Sequence, residues 1–431
     1  MLRLKLITIT IAVLFICCST GICEERFPPP QFETNHTQPT TVVPEPARAL
    51  WWQYADIVVL FLSLALASYL VLKVRKRTPI FLLMLFSLAY FGFWRKGCVC
   101  PVGAIQNIAL SLFSSNYVVT IPVLIFFLLP LVFTLFWARG FCAAVCPLGA
   151  IQDFVLLKPV TIPLWLENAL RLLAYVYLTA AVVFAATGSA FIICRYDPFV
   201  SLFRFSGNFH IIVLTTAFLI ISIFVGRPYC RFLCPYGIIL RQLSRLSKYN
   251  VTIAPKDCVN CRLCEDSCPF GAIEKPVPDW QSKQFLSAKK TMSILLILLP
   301  VMIVAGALIG YSLRTQASRV NFTVRLAERV YLEQTGKAAG TTDASDAFRA
   351  QSGSVQQLYK QADIIRGKFG TAGIFAGAFL GLVTAIKLMN IIIRRRITDY
   401  RADKASCIAC GRCFEYCPVE HDRRKQVNSK T

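Results

Sequence analysis

Cys258-Val259-Asn260-Cys261-Arg262-Leu263-Cys264-Glu265-Asp266-Ser267-Cys268-Pro269 returns, with the same cysteine spacing, as Cys407-Ile408-Ala409-Cys410-Gly411-Arg412-Cys413-Phe414-Glu415-Tyr416-Cys417-Pro418. Three thiolates at this spacing can wrap one face of an iron–sulfur cube, while the fourth, directed away by the proline, reaches the neighbouring cluster. The spacing predicts two 4Fe–4S clusters, one on Cys258, Cys261, Cys264 and Cys417, the other on Cys407, Cys410, Cys413 and Cys268. Zinc is the competing metal, but zinc ribbons pair two C-x2-C knuckles and seldom add a third cysteine with C-P at this offset.

Between the motifs lie two apolar runs, 291–312 and 370–393, so a membrane hairpin is expected to interrupt one ferredoxin-like module. The whole chain of 431 residues is 56% hydrophobic and only 16% charged, against roughly 25% charged in an ordinary soluble domain. Further apolar runs at 54–72, 79–94, 119–137, 167–190 and 209–226 bring the expectation to about seven transmembrane helices. Trp51, Trp52, Trp94 and Trp137 mark their interfacial ends. The fold class is therefore an all-α polytopic membrane protein carrying a small α+β dicluster ferredoxin-like module.

Residues 1–23 read as a signal peptide or N-terminal anchor, with Cys17, Cys18 and Cys23 structural, and residues 24–49 as a Pro- and Thr-rich linker on the outer side. The remaining segments are a transmembrane domain at 50–226, a cytoplasmic segment at 227–290, the helix 291–312, an outer helical loop at 313–369, the helix 370–393 and a cytoplasmic tail at 394–431. The basic loop Lys73–Arg77 and the run Arg394-Arg395-Arg396 set this orientation, and counting helices from either one returns the other to the same side. In the outer loop, the amphipathic stretch Val320–Tyr331 reads as a helical cap.

The net charge of +23 reflects these cytoplasmic loops; no basic groove of a nucleic-acid fold is present in the pattern, so nucleic acid is not an expected partner. The 18 cysteines fall in C-x2-C and C-P clusters, a metal pattern and not a disulfide framework. With His36, His210 and His421 the only histidines, and no C-x-x-C-H, haem is not expected.

Two further cysteine groups lie among the helices. Cys142-x3-Cys146-Pro147 with Cys230-x3-Cys234-Pro235 supplies four thiols for a third 4Fe–4S cluster, the alternative being small cysteines buried in apolar packing. Cys98-x-Cys100-Pro101 with Cys194 supplies three thiols near the opposite face, and His210, Asp197, an N-terminal cysteine or a partner remain open as the fourth ligand of a further cluster. Arg95, Lys96 and Arg195 stand beside that group, either to offset cluster charge or as interfacial anchors. The stretches after Cys100, Cys146 and Cys234 repeat: Pro-Val-Gly-Ala-Ile-Gln-Asn, Pro-Leu-Gly-Ala-Ile-Gln-Asp and Pro-Tyr-Gly-Ile-Ile, the first two as copies inverted across the membrane.

These residues resemble membrane-bound polyferredoxins of the NosR/NapH type, over about residues 79–275 and 403–418, through the C-P motifs between helices and the paired C-x2-C-x2-C-x3-C-P runs. The resemblance implies an electron-transfer subunit of the bacterial inner membrane, its ferredoxin motifs cytoplasmic, passing electrons between a cytoplasmic or quinol donor and a periplasmic redox protein, a flavoprotein or reductase. The family's flavin-binding periplasmic domain has no counterpart in this sequence, which suggests that a separate protein supplies it; Cys98-x-Cys100 also departs from the family's C-x3-C-P spacing. The competing class is an assembly, maturation or regulatory iron–sulfur protein for a periplasmic reductase.

Overall fold

A computed structural model describes residues 50–97, 101–115, 117–160, 162–205, 208–253, 258–276, 282–350, 354–392 and 400–422. The expected signal or anchor, the linker at 24–49 and the two cysteines Cys98 and Cys100 lie outside the described residues.

The apolar runs fold as helices. Helix α1 (Leu50–Tyr69) continues through a π turn to Val74, and α2 (Arg77–Ser87) through another to Trp94. Next come α3 (Pro101–Phe113), α4 (Ile121–Trp137), α5 (Pro147–Val155) and α6 (Leu164–Ala186). Short α7 (Ile192–Tyr196) and α8 (Pro198–Arg204) precede α9 (Phe209–Phe224), followed by α10 (Pro228–Phe232), α11 (Pro235–Arg245) and α12 (Leu263–Asp266). Strand β1 (Ile273–Glu274) leads to α13 (Ser282–Ser312), α14 (Arg314–Ser318), α15 (Phe322–Gln334), α16 (Asp343–Ala350) and α17 (Val355–Ile392). The chain closes with β2 (Arg401–Ala402) and α18 (Arg412–Tyr416).

Among the described residues, five helical stretches are long and apolar enough to cross a bilayer: Trp51–Val74, Arg77–Trp94, Trp165–Ala186, Lys289–Ser312 and Val355–Asn390. The bent pair α8 and α9 makes a sixth if it counts as one span. The expected run 119–137 folds as the 17-residue α4, shorter than the roughly 20 residues of an untilted crossing. Leu62, Phe136, Ile220, Leu296 and Phe375 point outward from these helices, as side chains facing lipid would. Inside, Phe199, Phe203, Tyr229 and Tyr236 are fully buried and pack with Leu64, Ile80 and Leu240 in one core.

The hairpin of α13 and α17 is held by glycines. A Cβ on Gly377 would overlap the Gly306 carbonyl, and one on Gly310 would overlap that of Gly373, so the two backbones approach as only glycine allows. Gly377→Leu is accordingly expected to lower the unfolding midpoint in detergent, by an overpacking cost of about 1–3 kcal/mol. Gly367→Leu, on the same helix with nothing within 4 Å of its Cβ, serves as the neutral comparison. Above the hairpin, Val324, Leu326, Ala327 and Val330 of α15 pack on Leu358 and Ala362 of α17, a small helical cap.

The hairpin leaves the two ferredoxin motifs in contact. β1, just after the first motif, pairs antiparallel with β2, just before the second, with Ile273 opposite Ala402 and Glu274 opposite Arg401. The basic loop after α1 meets the same unit: Arg75 lies over the Phe414 ring at 4.1 Å and donates to Glu420 Oε1 at 2.9 Å, and Arg77 donates to the Cys410 carbonyl at 2.8 Å.

Candidate iron–sulfur sites

Cysteine placement follows from short turns that end at proline. In the first membrane pair, a π turn spans Phe141–Val145 and closes when the Cys146 amide donates to the Phe141 carbonyl at 2.9 Å. In the second, the Cys234 amide donates to the Tyr229 carbonyl at 2.8 Å, the same five-residue closure. The residue before each proline is forced into extended backbone, which ends the turn and starts α5 or α11. Each turn carries a cysteine at either end, and the two pairs lie within electrostatic reach of each other.

The thiols gather in three groups. Cys234 lies within electrostatic reach of Cys230, Cys146 and Cys142. Cys264 lies likewise beside Cys258, Cys261 and Cys417, and a cavity lined by these four and Pro418 separates them. Cys413 lies beside Cys407, Cys410 and Cys268. In both ferredoxin groups the fourth thiol thus comes from the other motif. Of the remaining trio, Cys194 is described and exposed, and its two companions fall outside the described residues.

The donor set suits an iron–sulfur cluster. Burial first, then the neighbouring Cys142 thiol, pushes Cys146 up to about 12 against the pull of the Gly149 amide and Arg227. Burial pushes Cys407 up to about 12 as well, and Cys264 to about 11. Such thiols ionise where a metal replaces the proton. Among the described residues no three or more His, Cys, Asp or Glu side chains are gathered to hold a single metal ion. A cube holds its thiolates further apart than one ion does. Amide donors are also in place: Gly237 N–H to Cys234 Sγ at 3.3 Å, Ala409 N–H to Cys407 Sγ at 3.4 Å and Gln152 Nε2 to Cys230 Sγ at 3.3 Å. Bonds of this kind to sulfur tune cluster potentials.

Sequence reasoning missed the arginines around the membrane group. Arg139, Arg171, Arg227, Arg231 and Arg241 line one cavity with Cys142, Cys230 and Cys234. Arg139 Nη2 reaches Cys142 Sγ at 3.7 Å, and Arg227 donates to the carbonyls of Cys142 and Ala143. Arg171 and Arg241 both donate to Ser406, the residue before Cys407. Burial, then Arg171 and Arg139, lowers Arg241 to about 9, a cost that an anion in this cavity would relieve. One signal was available: Arg139 and Arg227 each stand three residues before the first cysteine of a C-x3-C-P motif.

The second missed feature is Asp153. Its carboxylate is completely buried and meets Arg77, Arg227 at 3.5 Å and Arg412 at 3.2 Å. Burial alone would raise its pKa, but Arg227, Arg77 and Arg412 override it and hold the carboxyl well below the usual carboxylate range. One side chain thereby ties α2, the α9–α10 connection and the second ferredoxin motif together.

Comparison with known proteins matches a 4Fe–4S binding domain family at residues 119–164 and 208–253, the stretches that hold both C-x3-C-P motifs, and a second 4Fe–4S binding domain family at residues 251–274, across the first ferredoxin motif. Together with the membrane-length helices, these matches define a membrane iron–sulfur protein. NirI of Paracoccus denitrificans is 31% identical over 32% of this chain and 22% of its own length. A putative electron transport protein of Escherichia coli, YccM, is 26% identical over 39% of this chain and 52% of its own. The regulatory protein NosR of Stutzerimonas stutzeri is 25% identical over 52% and 34%. In these stretches the chain is similar to NirI, YccM and NosR, and its matched segments are those of 4Fe–4S binding domains. It spans about half the length of YccM and about a third of NosR. No solved structure matches it.

Proposed function

We propose that the chain is a transmembrane electron conduit of the bacterial inner membrane, passing electrons between a cytoplasmic or quinol donor and a periplasmic redox partner. Its inner end is the ferredoxin module, with clusters on Cys258, Cys261, Cys264 and Cys417, and on Cys407, Cys410, Cys413 and Cys268. A third cluster on Cys142, Cys146, Cys230 and Cys234 and a fourth site at Cys98, Cys100 and Cys194 carry the path outward. The orientation rests on the positive-inside rule applied to Lys73–Arg77, the loop that meets the ferredoxin module.

One observation carries the reading: the two ferredoxin groups adjoin each other, and the second adjoins the membrane group. Cys413 lies within electrostatic reach of Cys264, which links the two ferredoxin groups. Arg227 lies beside Cys410, Cys230 and Cys142, which links the second of these to the membrane group. Tyr177 of α6 lies within electrostatic reach of both Cys234 and Cys194. A bilayer core is about 30 Å thick, so one ferredoxin at one surface cannot move electrons across it. The chain's own part is to space the sites, exclude water from the inner ones and supply cations beside the thiolates; the clusters supply the one-electron chemistry.

The test is iron and sulfide quantification with EPR-monitored redox titration of the purified full-length protein. The expected content is about sixteen irons per chain; about eight would leave only the ferredoxin clusters and refute the conduit. An assembly or regulatory role is the alternative, and rapid reduction by quinol or reduced ferredoxin followed by reoxidation through a periplasmic protein would count against it.

A further inference from the structure

Cations gather around the cysteine groups more densely from the solvent inward. The first ferredoxin group faces a cavity whose one lining cation among the described residues is the exposed Arg262. In the second group Arg139 lies within electrostatic reach of Cys407, and Arg231 of Cys268. Both arginines also line the cavity of the membrane group, where Arg171, Arg227 and Arg241 join them. None of the thiols of Cys142, Cys146, Cys230 and Cys234 is exposed, whereas Cys261 of the first group is.

These five guanidinium groups outnumber the carboxylates that meet them. Glu167 pairs with both Arg171 and Arg231. Asp153 meets Arg227, but also Arg77 and Arg412. Asp403 acts on Arg171 and Arg241 from a distance, and its carboxylate already accepts from the Ala405 and Ser406 amides. Arg139 and Arg241 bond to neutral oxygens instead. Arg139 donates to the Ala405 and Gly237 carbonyls at 3.0 and 3.3 Å, and Arg241 to the Ser406 hydroxyl at 3.3 Å. The Nε atoms of both, and of Arg171 and Arg227, are buried with no hydrogen-bond partner among the described residues. Lys387 of α17, within reach of Arg241 and Arg171, adds a further cation. Buried charge of one sign costs free energy unless an anion stands within it.

We infer that Arg139 and Arg241 raise the reduction potential of a cluster on Cys142, Cys146, Cys230 and Cys234 above those of the ferredoxin module, and so make the membrane group the electron-accepting step. This rests on the third cluster of the conduit reading. An oxidised 4Fe–4S core held by four thiolates is a dianion and its reduced form a trianion, and net charge is a lever on cluster potential. Burial alone favours the lower charge. Fixed guanidinium groups in the same low-dielectric wall favour the higher one, and arginine does not lose its proton there. One electron leaves the second ferredoxin cluster, oxidising it from trianion to dianion, and reduces the membrane cluster from dianion to trianion, with no proton or bond exchanged. A cytoplasmic one-electron donor reduces the module again, so electrons run outward.

Arg139 also ties Ala405 to Gly237, so Arg241 is the position to test. Arg241→Met keeps most of the stem and removes the charge, Arg241→Lys keeps the charge, and Arg245→Met removes an exposed arginine one turn along the same helix. In EPR-monitored titration of the purified full-length protein, the signal that Cys230→Ser removes is expected to be reduced first, ahead of both ferredoxin signals. Arg241→Met is expected to retain the wild-type iron content and to weaken reduction of that signal at least about tenfold, about 59 mV for one electron. Arg241→Lys and Arg245→Met titrate as wild type. If wild type holds only about eight irons and Cys230→Ser removes no signal, the membrane cluster of the conduit reading falls. If the cluster is present, the inference is overturned where Arg241→Met titrates as Arg245→Met does, where it loses the irons, or where Arg241→Lys shifts as far as Arg241→Met. A membrane signal reduced after both ferredoxin signals overturns it as well.

Discussion

Cys417→Ser removes the cluster of Cys258, Cys261 and Cys264 and spares that of Cys407, Cys410 and Cys413, although Cys417 belongs to the second motif. The expected loss is about four irons per chain and one of the two ferredoxin-type EPR signals, with Cys268→Ser removing the other. The reason is placement. Cys417 lines the cavity with Cys258, Cys261 and Cys264, while Cys268 adjoins Cys407 and Cys410. If Cys417→Ser instead abolished the signal that Cys410→Ser abolishes, each motif would close its own cluster and the crossed ligation would be wrong. Loss of the first cluster also removes the inner end of the proposed path, so reduction of the membrane sites by a cytoplasmic ferredoxin should fall to background.

Asp153→Ala carries the largest expected cost in stability. It leaves the guanidinium groups of Arg77, Arg227 and Arg412 facing one another without their shared carboxylate, and Arg227 is 2% exposed. Breaking a buried pair by removing one partner costs about 3–5 kcal/mol. Thermal unfolding in detergent, followed by the visible absorbance of the clusters, should show a much lower midpoint than for Arg412→Ala, whose side chain is partly exposed. The pH dependence has a definite sign. The folded carboxyl titrates below its unfolded value, so its contribution is fully present above about pH 4 and is lost as the pH falls through the folded pKa. A variant as stable as wild type at neutral pH would show that the network contributes nothing.

The apolar runs were legible because membrane burial demands only composition and length, and each expected run does contain a helix. Span count was less legible, since α4 has 17 residues and α9, which fills the expected run 209–226, has 16 and reaches spanning length only together with the bent α8. Hydropathy averages over a window and does not register where a proline or a turn breaks the rod. The buried arginines were invisible for a related reason. In sequence, Arg171 and Arg241 look like ordinary helix-end charges, and only packing brings them onto Ser406, beside the second ferredoxin motif.

Cysteine spacing by itself determined the kind of chemistry, because ligand geometry within one short turn is local and three thiols at C-x2-C-x2-C can only converge on a compact centre. It also determined that proline closes each turn. The tertiary structure decided the rest. Pairing of β1 with β2 brings together motifs that the α13–α17 hairpin separates, which places Cys417 with the first motif and Cys268 with the second. The buried glutamines Gln106 and Gln152 make the same contact in the two halves of the membrane domain, one to the Ile193 amide and the other to the Tyr229 amide. Contacts between residues far apart in the chain depend on how helices pack, and no local pattern encodes them.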